Sequence, residues 1–251
     1  MSMVPERQRR ILSLLGAEGG LRTYELAKRL GVSEATVRRD LADLAKRGLV
    51  ERTHGGALPL RMGAAAEPPF DLKARRKVAE KERIAARAAA LVPERATVII
   101  DSGTTALMLA RKLVDRRITV IALDLMVAEE LARGEPEVWL IGGRARNGLF
   151  SLVGPWAEAM LAEVHADMFF LGADAVDEEA VTNATVEEAA VKRRAVAAAE
   201  ATYLIADHSK FGRRALAKVV GLERLAGVIT DKKSAPLTGA LEEKVPYIDF
   251  V

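Results

Sequence analysis

One stretch decides the fold of the N-terminal part of this chain: residues 32–44 read VSEATVRRDLADL. Val37, Leu41 and Leu44 lie at positions i, i+4 and i+7, a spacing that predicts the buried face of a helix. Ser33 is a good N-cap for this helix, and Gly31 predicts a tight turn before it. We expect the polar side chains between the apolar ones to point outward, namely Glu34, Thr36, Arg38, Arg39 and Asp40.

The flanking sequence completes a winged helix-turn-helix. Upstream, an amphipathic stripe predicts a helix over residues 6–17, and Thr23 begins a short second helix as its N-cap. Downstream, residues 49–60 predict a β-hairpin wing with its turn at residues 53–56. Glycines mark the ends of the first and third helices, Gly19 and Gly48. Two short helices joined by a glycine turn, the second rich in arginine on its outer face, predict a helix-turn-helix.

The outer face of the third helix suits the major groove of DNA. Side chains there can contact base edges, and basic residues beside them can bind phosphates. The candidate DNA-binding residues are Ser33, Glu34, Thr36, Arg38 and Arg39 on the helix, and Arg52, His54 and Gly55 in the wing. Arg61, beyond the wing, is a further candidate phosphate contact. A helical packing module with a solvated charged face gives the same pattern, so both interpretations stay open at this point.

Composition narrows the function classes. Half of the 251 residues are apolar and none is a cysteine, so the chain can bury a globular core and has no disulfide or cysteine-ligated metal. Its three histidines lie in different segments, so we predict no metal site and no cofactor. No apolar run is long enough to span a membrane, and the N-terminus is polar. We therefore expect a cytoplasmic protein without a membrane partner.

Charge is divided unevenly along the chain. Residues 1–87 hold 19 Lys and Arg against 11 Asp and Glu, whereas residues 88–251 hold 19 against 24. A basic head on an acidic body favours a polyanion as the partner of the head. A solvated basic face accounts for the same numbers without any partner.

A linker separates the two parts. Residues 61–69 are rich in Gly, Ala and Pro, and we place the domain boundary there. Residues 71–91 predict one charged, alanine-rich helix with seven Lys and Arg, which either extend the DNA footprint or belong to a solvated interdomain helix. The predicted domains are a DNA-binding domain over 1–60, a linker with a connecting helix over 61–91, and an effector-sensing domain over 92–251.

Beyond residue 95, short apolar runs alternate with helical stretches. The runs predict six strands, at 96–100, 118–123, 137–141, 166–171, 202–206 and 227–230. Helices are predicted between them, at 104–114, 125–133, 155–164 and 185–199. This alternation predicts an α/β domain, a mostly parallel sheet with helices on both faces. Ligands of such sheets bind at the carboxyl ends of the strands.

The first of these strands ends in a polar loop that runs into a helix. The loop consists of Asp101, Ser102, Gly103, Thr104 and Thr105. Free N–H groups at a helix start, a glycine and three hydroxyls suit a phosphate, although an ordinary capped turn fits equally well. The P-loop pattern G-x-x-x-x-G-K is absent, so a nucleoside triphosphate is not indicated.

Glycines and charged residues also lie close to the later strands. Most of them come directly after a strand, and two lie on the helix before the fifth strand. The remaining candidate effector-binding residues are Gly142, Gly143, Asp174, Glu188, Lys192 and Lys210. Lysines for phosphate and carboxylates for hydroxyls would suit a phosphorylated, polyhydroxylated ligand. Glu188 and Lys192 are four residues apart on one helix, so a surface salt bridge between them is the alternative.

These motifs together resemble the DeoR family of bacterial transcription regulators. In the N-terminal part the resemblance rests on residues 32–44, with their Arg-Arg-Asp-Leu core, and on the wing sequence Arg-Thr-His-Gly-Gly-Ala at 52–57. In the C-terminal part it rests on six segments, at 101–105, 140–143, 152–155, 170–174, 188–193 and 207–212. The matches follow one another in order over nearly the whole chain.

The resemblance implies a function and a site. Regulators of this kind bind operator DNA, typically repress sugar-metabolism operons and release DNA when a phosphorylated sugar binds; their sensor fold is similar to sugar-phosphate isomerases. Carried over, Asp101, Gly103, Thr104 and Thr105 form a loop for phosphate and sugar. The same pocket is lined by Asp174, Glu188, Lys192 and Lys210. The family leans toward dimers and larger assemblies, so we expect a homo-oligomer.

Two departures and two alternatives accompany the resemblance. Ala122-Leu123 stand where the family usually has Thr-Asn, and Ala175 stands where a glycine often follows the aspartate. The effector can therefore differ from the usual ones or bind weakly. The same architecture fits a transcriptional activator. It also fits a sugar-phosphate isomerase or deaminase with an accessory DNA-binding head, but a regulator needs no turnover, and we expect no enzymatic activity.

Overall fold

The chain forms two compact units. The structure, a computed structural model, describes residues 3–18, 20–46, 49–59, 67–68 and 70–251. The units are Met1–Ala66 and Glu67–Val251. None of the described helices combines the length and the apolar character needed to cross a bilayer.

The first unit is a three-helix fold with a small antiparallel sheet. Its elements are α1 (Met3–Glu18), β1 (Leu21–Arg22), α2 (Thr23–Leu30), α3 (Glu34–Lys46), β2 (Val50–Thr53) and β3 (Gly56–Pro59). The sheet order is β1-β3-β2, so β1 widens the predicted wing to three strands. Val37, Leu41 and Leu44 are buried against Ile11 and Leu15 of α1. The helical spacing thus predicted the inner face of α3 correctly.

Two details of this unit differ from the sequence prediction. Thr23 is the first residue of α2, and Arg22 is its N-cap. Asp40 does not point outward but is 4% exposed, because it pairs with Arg7 of α1. The predicted helix ends at Gly19 and Gly48, and the predicted phosphate contact Arg61, lie outside the described residues.

The predicted connecting helix is interrupted. It forms α4 (Phe70–Ala74) and α5 (Val78–Leu91), separated at Lys77, whose φ is +55°. The Lys81 ammonium donates to the backbone carbonyls of Lys73 at 2.5 Å and Arg76 at 2.7 Å, which holds the break together. One face of α5, which includes Ile84, is buried in the core of the second unit. The helix is therefore not a solvated interdomain element.

The second unit contains a seven-stranded parallel sheet. Its strands are β4 (Thr97–Ile100), β5 (Thr119–Ala122), β6 (Glu137–Leu140), β9 (Ala166–Leu171), β12 (Ala199–Ile205), β14 (Gly227–Thr230) and β15 (Ile248–Phe250). They are arranged in the order β15-β14-β12-β9-β4-β5-β6. All six predicted strands are present. The principal helices are α6 (Thr104–Leu113), α7 (Leu125–Leu131), α8 (Pro155–Ala162), α9 (Val186–Ala198) and α10 (Gly239–Glu242).

Short antiparallel strands lie outside the main sheet. One pair is β7 (Arg144–Ala145) and β8 (Leu152–Val153), and a three-stranded sheet is formed by β10 (Ala175–Val176), β11 (Ala180–Asn183) and β13 (Ala217–Gly221). Sequence reasoning missed them, together with β15. Several are only two residues long, and β11 is buried on both faces, so neither length nor alternation marks them as strands.

Two apolar layers cover the main sheet. Adjacent side chains of one strand point to opposite faces, so that Phe169 packs in one layer and Phe170 in the other. Helices α8 and α9 supply the first layer, and α5, α6 and α7 supply the second. Because the strands are parallel, their carboxyl ends meet at a single edge of the sheet, where the polar loops lie.

Candidate functional site

The candidate DNA-binding face of α3 is exposed, and a side-chain hydrogen bond caps the start of this helix. The Ser33 hydroxyl accepts a hydrogen bond from the Thr36 N–H at 3.2 Å, which places Ser33 as the cap of α3. Arg38 and Arg39 are exposed. The Arg38 guanidinium lies 3.2 Å from the Glu34 carboxylate one turn earlier, an exposed ion pair that DNA phosphates can readily replace.

The wing presents the other candidate DNA-binding residues. Arg52, His54 and Gly55 are exposed at the tip of the hairpin. Gly55 has φ +91°, a conformation that favours glycine, and its carbonyl accepts from the Thr23 N–H at 2.8 Å. The turn is thereby tied to the start of α2. All eight predicted DNA-binding residues except Thr36, which is half-buried, are thus exposed.

A partly buried ion pair connects α1 and α3 in the first unit. The Arg7 guanidinium forms two hydrogen bonds to the Asp40 carboxylate, at 2.5 and 3.1 Å. This bidentate contact raises the pKa of Arg7. Asp40 is therefore a structural residue that anchors α3 to α1, and Arg39 beside it remains available to a partner.

In the second unit, a buried ion pair lies where β4 and β9 end. The Lys192 ammonium lies 2.9 Å from the Asp101 carboxylate, and the two side chains are 5% and 1% exposed. Asp101 also accepts from the N–H groups of Ser102 and Gly172, both at 2.7 Å. Burial lowers the pKa of Lys192, but the carboxylates of Asp101, Glu188 and Asp174 raise it on balance. The ammonium also donates to the Gly172 carbonyl and the Asn183 amide oxygen, so its hydrogens are used within the protein.

Glu188 is the second centre of this site. Its carboxylate accepts from the Ser102 hydroxyl at 2.9 Å, the Asn183 amide at 2.8 Å and the Arg146 guanidinium. The predicted alternative of a surface salt bridge between Glu188 and Lys192 is wrong, because both side chains are buried and each has partners on other elements. Burial lowers the pKa of Arg146, but the carboxylates around it raise it on balance.

Asp174 and Lys210 are two further charged groups at this edge, and they interact with each other. The Asp174 carboxylate accepts from the Ala184 N–H at 2.8 Å. Its burial is outweighed by Lys192, Lys73 and Lys210, so its pKa is lowered. Burial lowers the pKa of Lys210. The charge of Asp174 raises this pKa and the charge of Lys73 lowers it, and the net shift is downward.

An acidic side chain from the start of the second unit enters the same site. Glu67 pairs with Lys73, and its Oε2 atom lies 2.9 Å from Nη1 of Arg146. Glu67, Asp174 and Glu188 each place one carboxylate oxygen within 4.8 Å of the others. Such a set can hold a hard cation. Here, however, four basic side chains share the site: Lys73, Arg146, Lys192 and Lys210.

The predicted phosphate loop lies beside these charges. Helix α6 begins at Thr104, and Gly103 at its N-cap has φ +103°. Thr104 is buried, while Ser102, Gly103 and Thr105 are half-buried. The Gly103 N–H points to the Asp124 carboxylate at 3.4 Å, a long contact that leaves this donor weakly used. A half-open loop at a helix start next to buried cations suits an anion.

The departure at the second strand end has a structural explanation. Ala122 and Leu123 are fully buried in the two apolar layers, so their side chains do not face the site. Asp124 instead supplies the polar group, and its carboxylate caps α7 through the N–H groups of Met126 and Val127. Burial raises the pKa of Asp124 to about 6, although those N–H groups lower it.

Gly142 and Gly143 pack against α8 and β8. The atoms nearest to a Cβ at these positions would belong to Trp156, Met160, Ala157 and Val153. Arg146, a few residues further on, enters the site in their place. Sequence reasoning also missed Glu67, Lys73, Asp124 and Asn183 as site residues. The polar sequence Thr182-Asn183 before the Glu188 helix was the signal that could have revealed Asn183.

A winged helix-turn-helix joined to an α/β unit with a charged site at its strand ends defines a DNA-binding transcription regulator. Residues 7–60 match the DeoR-like helix-turn-helix domain, and residues 76–232 match the DeoR C terminal sensor domain. The chain belongs to the DeoR family. The predicted family and the predicted two-domain fold class are thus confirmed.

Relatives agree with this assignment. The chain is 38% identical over 232 residues to the HTH-type transcriptional regulator GlpR of Haloferax volcanii, covering 91% of each chain. It is 31% identical over 247 residues to the lactose phosphotransferase system repressor of Staphylococcus aureus, covering 97% of this chain and 98% of that one. Both relatives are named as transcription regulators, which favours a regulator over the alternative of an isomerase or deaminase.

The chain also has a remote and partial likeness to a solved structure. Ribose 5-phosphate isomerase A of Methanocaldococcus jannaschii aligns with 52% of the chain and 52% of its own, at 18% identity and a TM-score of 0.39.

Proposed function

We propose that this protein represses a sugar-metabolism operon and is released from its operator by a phosphorylated sugar bound in the second unit. The observation that carries the proposal is the convergence of basic and acidic side chains with the loop at the start of α6. The cations suit a phosphate, and the carboxylates suit sugar hydroxyls. The names of the relatives, which include a repressor of a sugar phosphotransferase system, support the same class of target.

The proposal assigns separate roles to the predicted residues. Ser33, Glu34, Thr36, Arg38 and Arg39, with Arg52, His54 and Gly55 of the wing, contact operator DNA. The effector is held by Ser102, Gly103, Thr104 and Thr105, with Lys210 and Asp174 lining the site. Asp101, Glu188 and Lys192 act mainly by positioning these groups, since their hydrogen bonds are made within the protein. Gly142 and Gly143, predicted as effector-binding residues, are left out of this set because they pack against α8 and β8.

Two further points belong to the proposal. Operators with two half-sites call for a homo-oligomer, because each chain has one recognition helix. A DNA-binding regulator works where the genome is, which supports a cytoplasmic location. An activator has the same architecture, so the position of the operator relative to the promoter decides the sign of regulation.

The DNA half of the proposal is tested by selecting binding sites for the full chain from a random DNA pool. Arg39→Ala is expected to weaken binding to the selected site by about 5-fold to 150-fold, since a base contact is worth about 1–3 kcal/mol. Arg224→Ala in the second unit is the charge-matched control. Operator-specific binding that survives in both Arg38→Ala and Arg39→Ala would contradict the assignment of α3.

The effector half is tested by thermal unfolding of the full chain with a panel of pentose and hexose phosphates. One compound is expected to raise the melting temperature and to release the selected DNA. Lys210→Met should remove that stabilisation, and Lys218→Met, which replaces an exposed lysine, should retain it. If no phosphorylated sugar stabilises the wild-type chain or changes DNA binding, the effector assignment is wrong while the DNA assignment stands.

A further inference from the structure

The carboxylate of Glu67 lies inside the site proposed for the effector. Its side chain is only 6% exposed, and one of its oxygens lies within 4.8 Å of oxygens of both Asp174 and Glu188. Three carboxylates at this separation repel one another, so the arrangement depends on the cations between them. Glu67 is held there by Lys73 on α4 and by Arg146.

Among the described residues, Glu67 is held by two basic side chains and by no backbone group. Glu188 accepts hydrogen bonds from three side chains, and Asp174 accepts one from a backbone N–H. Glu67 accepts one from Lys73 through Oε1. Its Oε2 atom lies 2.9 Å from Nη1 of Arg146, an ion pair whose geometry is poor for a hydrogen bond. Both partners are cations that another anion can bind, so this carboxylate can be displaced without breaking a backbone hydrogen bond.

The donors that hold Glu67 are those an anionic ligand would use. Lys73 and Arg146 are 16% and 13% exposed, and both side chains face the carboxylate. A phosphate monoester offers more acceptor oxygens and a charge of about −1.5 to −2, against −1 for a carboxylate. A phosphate can therefore form more charge-assisted hydrogen bonds with an arginine and a lysine than a single carboxylate can.

From these contacts we infer that Lys73 and Arg146 form an anion subsite that Glu67 occupies in the free protein, and that the phosphate of the effector displaces this carboxylate. The inference rests on the proposed function and adds the regulation of its site. Glu67 is the first residue of the second unit, and seven residues separate it from Pro59, the last residue of the wing. Displacement therefore acts on the chain segment that joins the sensor to the DNA-binding unit.

A divalent cation held by the three carboxylates is the competing explanation. The four neighbouring basic groups argue against it, because they already offset the acidic charge and would repel a metal ion. The inferred subsite should bind an anion, whereas the competing explanation calls for a divalent cation, so one experiment distinguishes them.

The experiment measures the melting temperature of the full chain against the concentration of inorganic phosphate, with ionic strength held constant by chloride. Glu67→Gln removes the competing charge, and Glu67→Asp keeps the charge but withdraws it by one methylene. Both variants should reach half-maximal stabilisation at a phosphate concentration about tenfold lower than wild type, a typical coupling between competing groups. Glu200→Gln, at an exposed glutamate, is the matched control and should behave as wild type.

Each possible result either supports or contradicts the inference about Glu67. Equal phosphate midpoints in wild type and both Glu67 variants, or no phosphate effect in any of them, would overturn the inference. Stabilisation of the wild type by Mn²⁺ alone, lost in Glu67→Gln, would assign a metal site instead. A sugar phosphate that releases operator with equal midpoints in wild type and Glu67→Gln would leave the proposed function intact and remove only the role of Glu67.

Discussion

Replacing Lys192 by methionine tests the buried ion pair on which the sensor site is built. The substitution keeps the length of the side chain but removes its charge and three hydrogen bonds, to Asp101, Asn183 and the Gly172 carbonyl. Asp101 keeps two backbone N–H donors at 2.7 Å, so it is not left without partners. It does lose the only cation in contact with it among the described residues.

The structure sets the expected size of the effect. Removing one partner of a buried ion pair typically costs about 3–5 kcal/mol. The two remaining N–H donors reduce the cost, whereas the abandoned Asn183 and Gly172 oxygens add to it at about 1–3 kcal/mol for each unsatisfied group. We therefore expect the second unit to lose about 4 kcal/mol of unfolding free energy. The double variant Asp101→Asn/Lys192→Met removes the uncompensated charge and should recover part of this loss.

Urea unfolding followed by tryptophan fluorescence measures this effect. Both tryptophans of the chain, Trp139 and Trp156, belong to the second unit, so the signal reports on that unit. With a slope of about 2.5 kcal/mol per molar urea, the midpoint should fall by about 1.5 M. Arg133→Met, which breaks an exposed ion pair with Glu129, is the control and should cost about 0.5 kcal/mol or less.

Two outcomes would refute the reasoning. A loss in Lys192→Met no larger than that in Arg133→Met would mean that Asp101 does not depend on its buried partner. A double variant at least as unstable as the single one would mean that the cost comes from lost packing rather than from an uncompensated carboxylate.

Two further predictions concern other buried acids. Because burial raises the pKa of Asp124 to about 6 in the folded state, above about 4 in the unfolded chain, wild type should lose about 2–3 kcal/mol of stability relative to Asp124→Asn as the pH rises from 4 to 7. Urea unfolding of both proteins across this range measures the difference, and a difference independent of pH would contradict the assignment. Asp40→Ala should destabilise the first unit by about 2 kcal/mol, because it breaks the partly buried pair with Arg7. Far-UV circular dichroism should then show partial loss of helix on mild heating in Asp40→Ala but not in Arg39→Ala. Equal stability of the two variants would argue against the structural role of Asp40.

Local patterns predicted much of the fold. The spacing of Val37, Leu41 and Leu44 fixes which face of α3 is buried, since helical periodicity is a property of a few consecutive residues. Apolar runs separated by helical stretches predicted six of the seven strands of the sheet for the same reason. The charged residues near strand ends were found because parallel strands place their carboxyl ends at one edge.

The tertiary structure decided which charged groups face one another. Sequence spacing pairs Glu188 with Lys192 and turns Asp40 outward, but Lys192 pairs with Asp101 and Asp40 with Arg7. Glu67 in a linker gave no local signal, and only the folded chain brings it against Arg146. The physical reason is that hydrophobic burial follows a short repeating pattern in the sequence. The partners of a buried charge are instead set by which distant segments the fold brings within a few ångströms of one another.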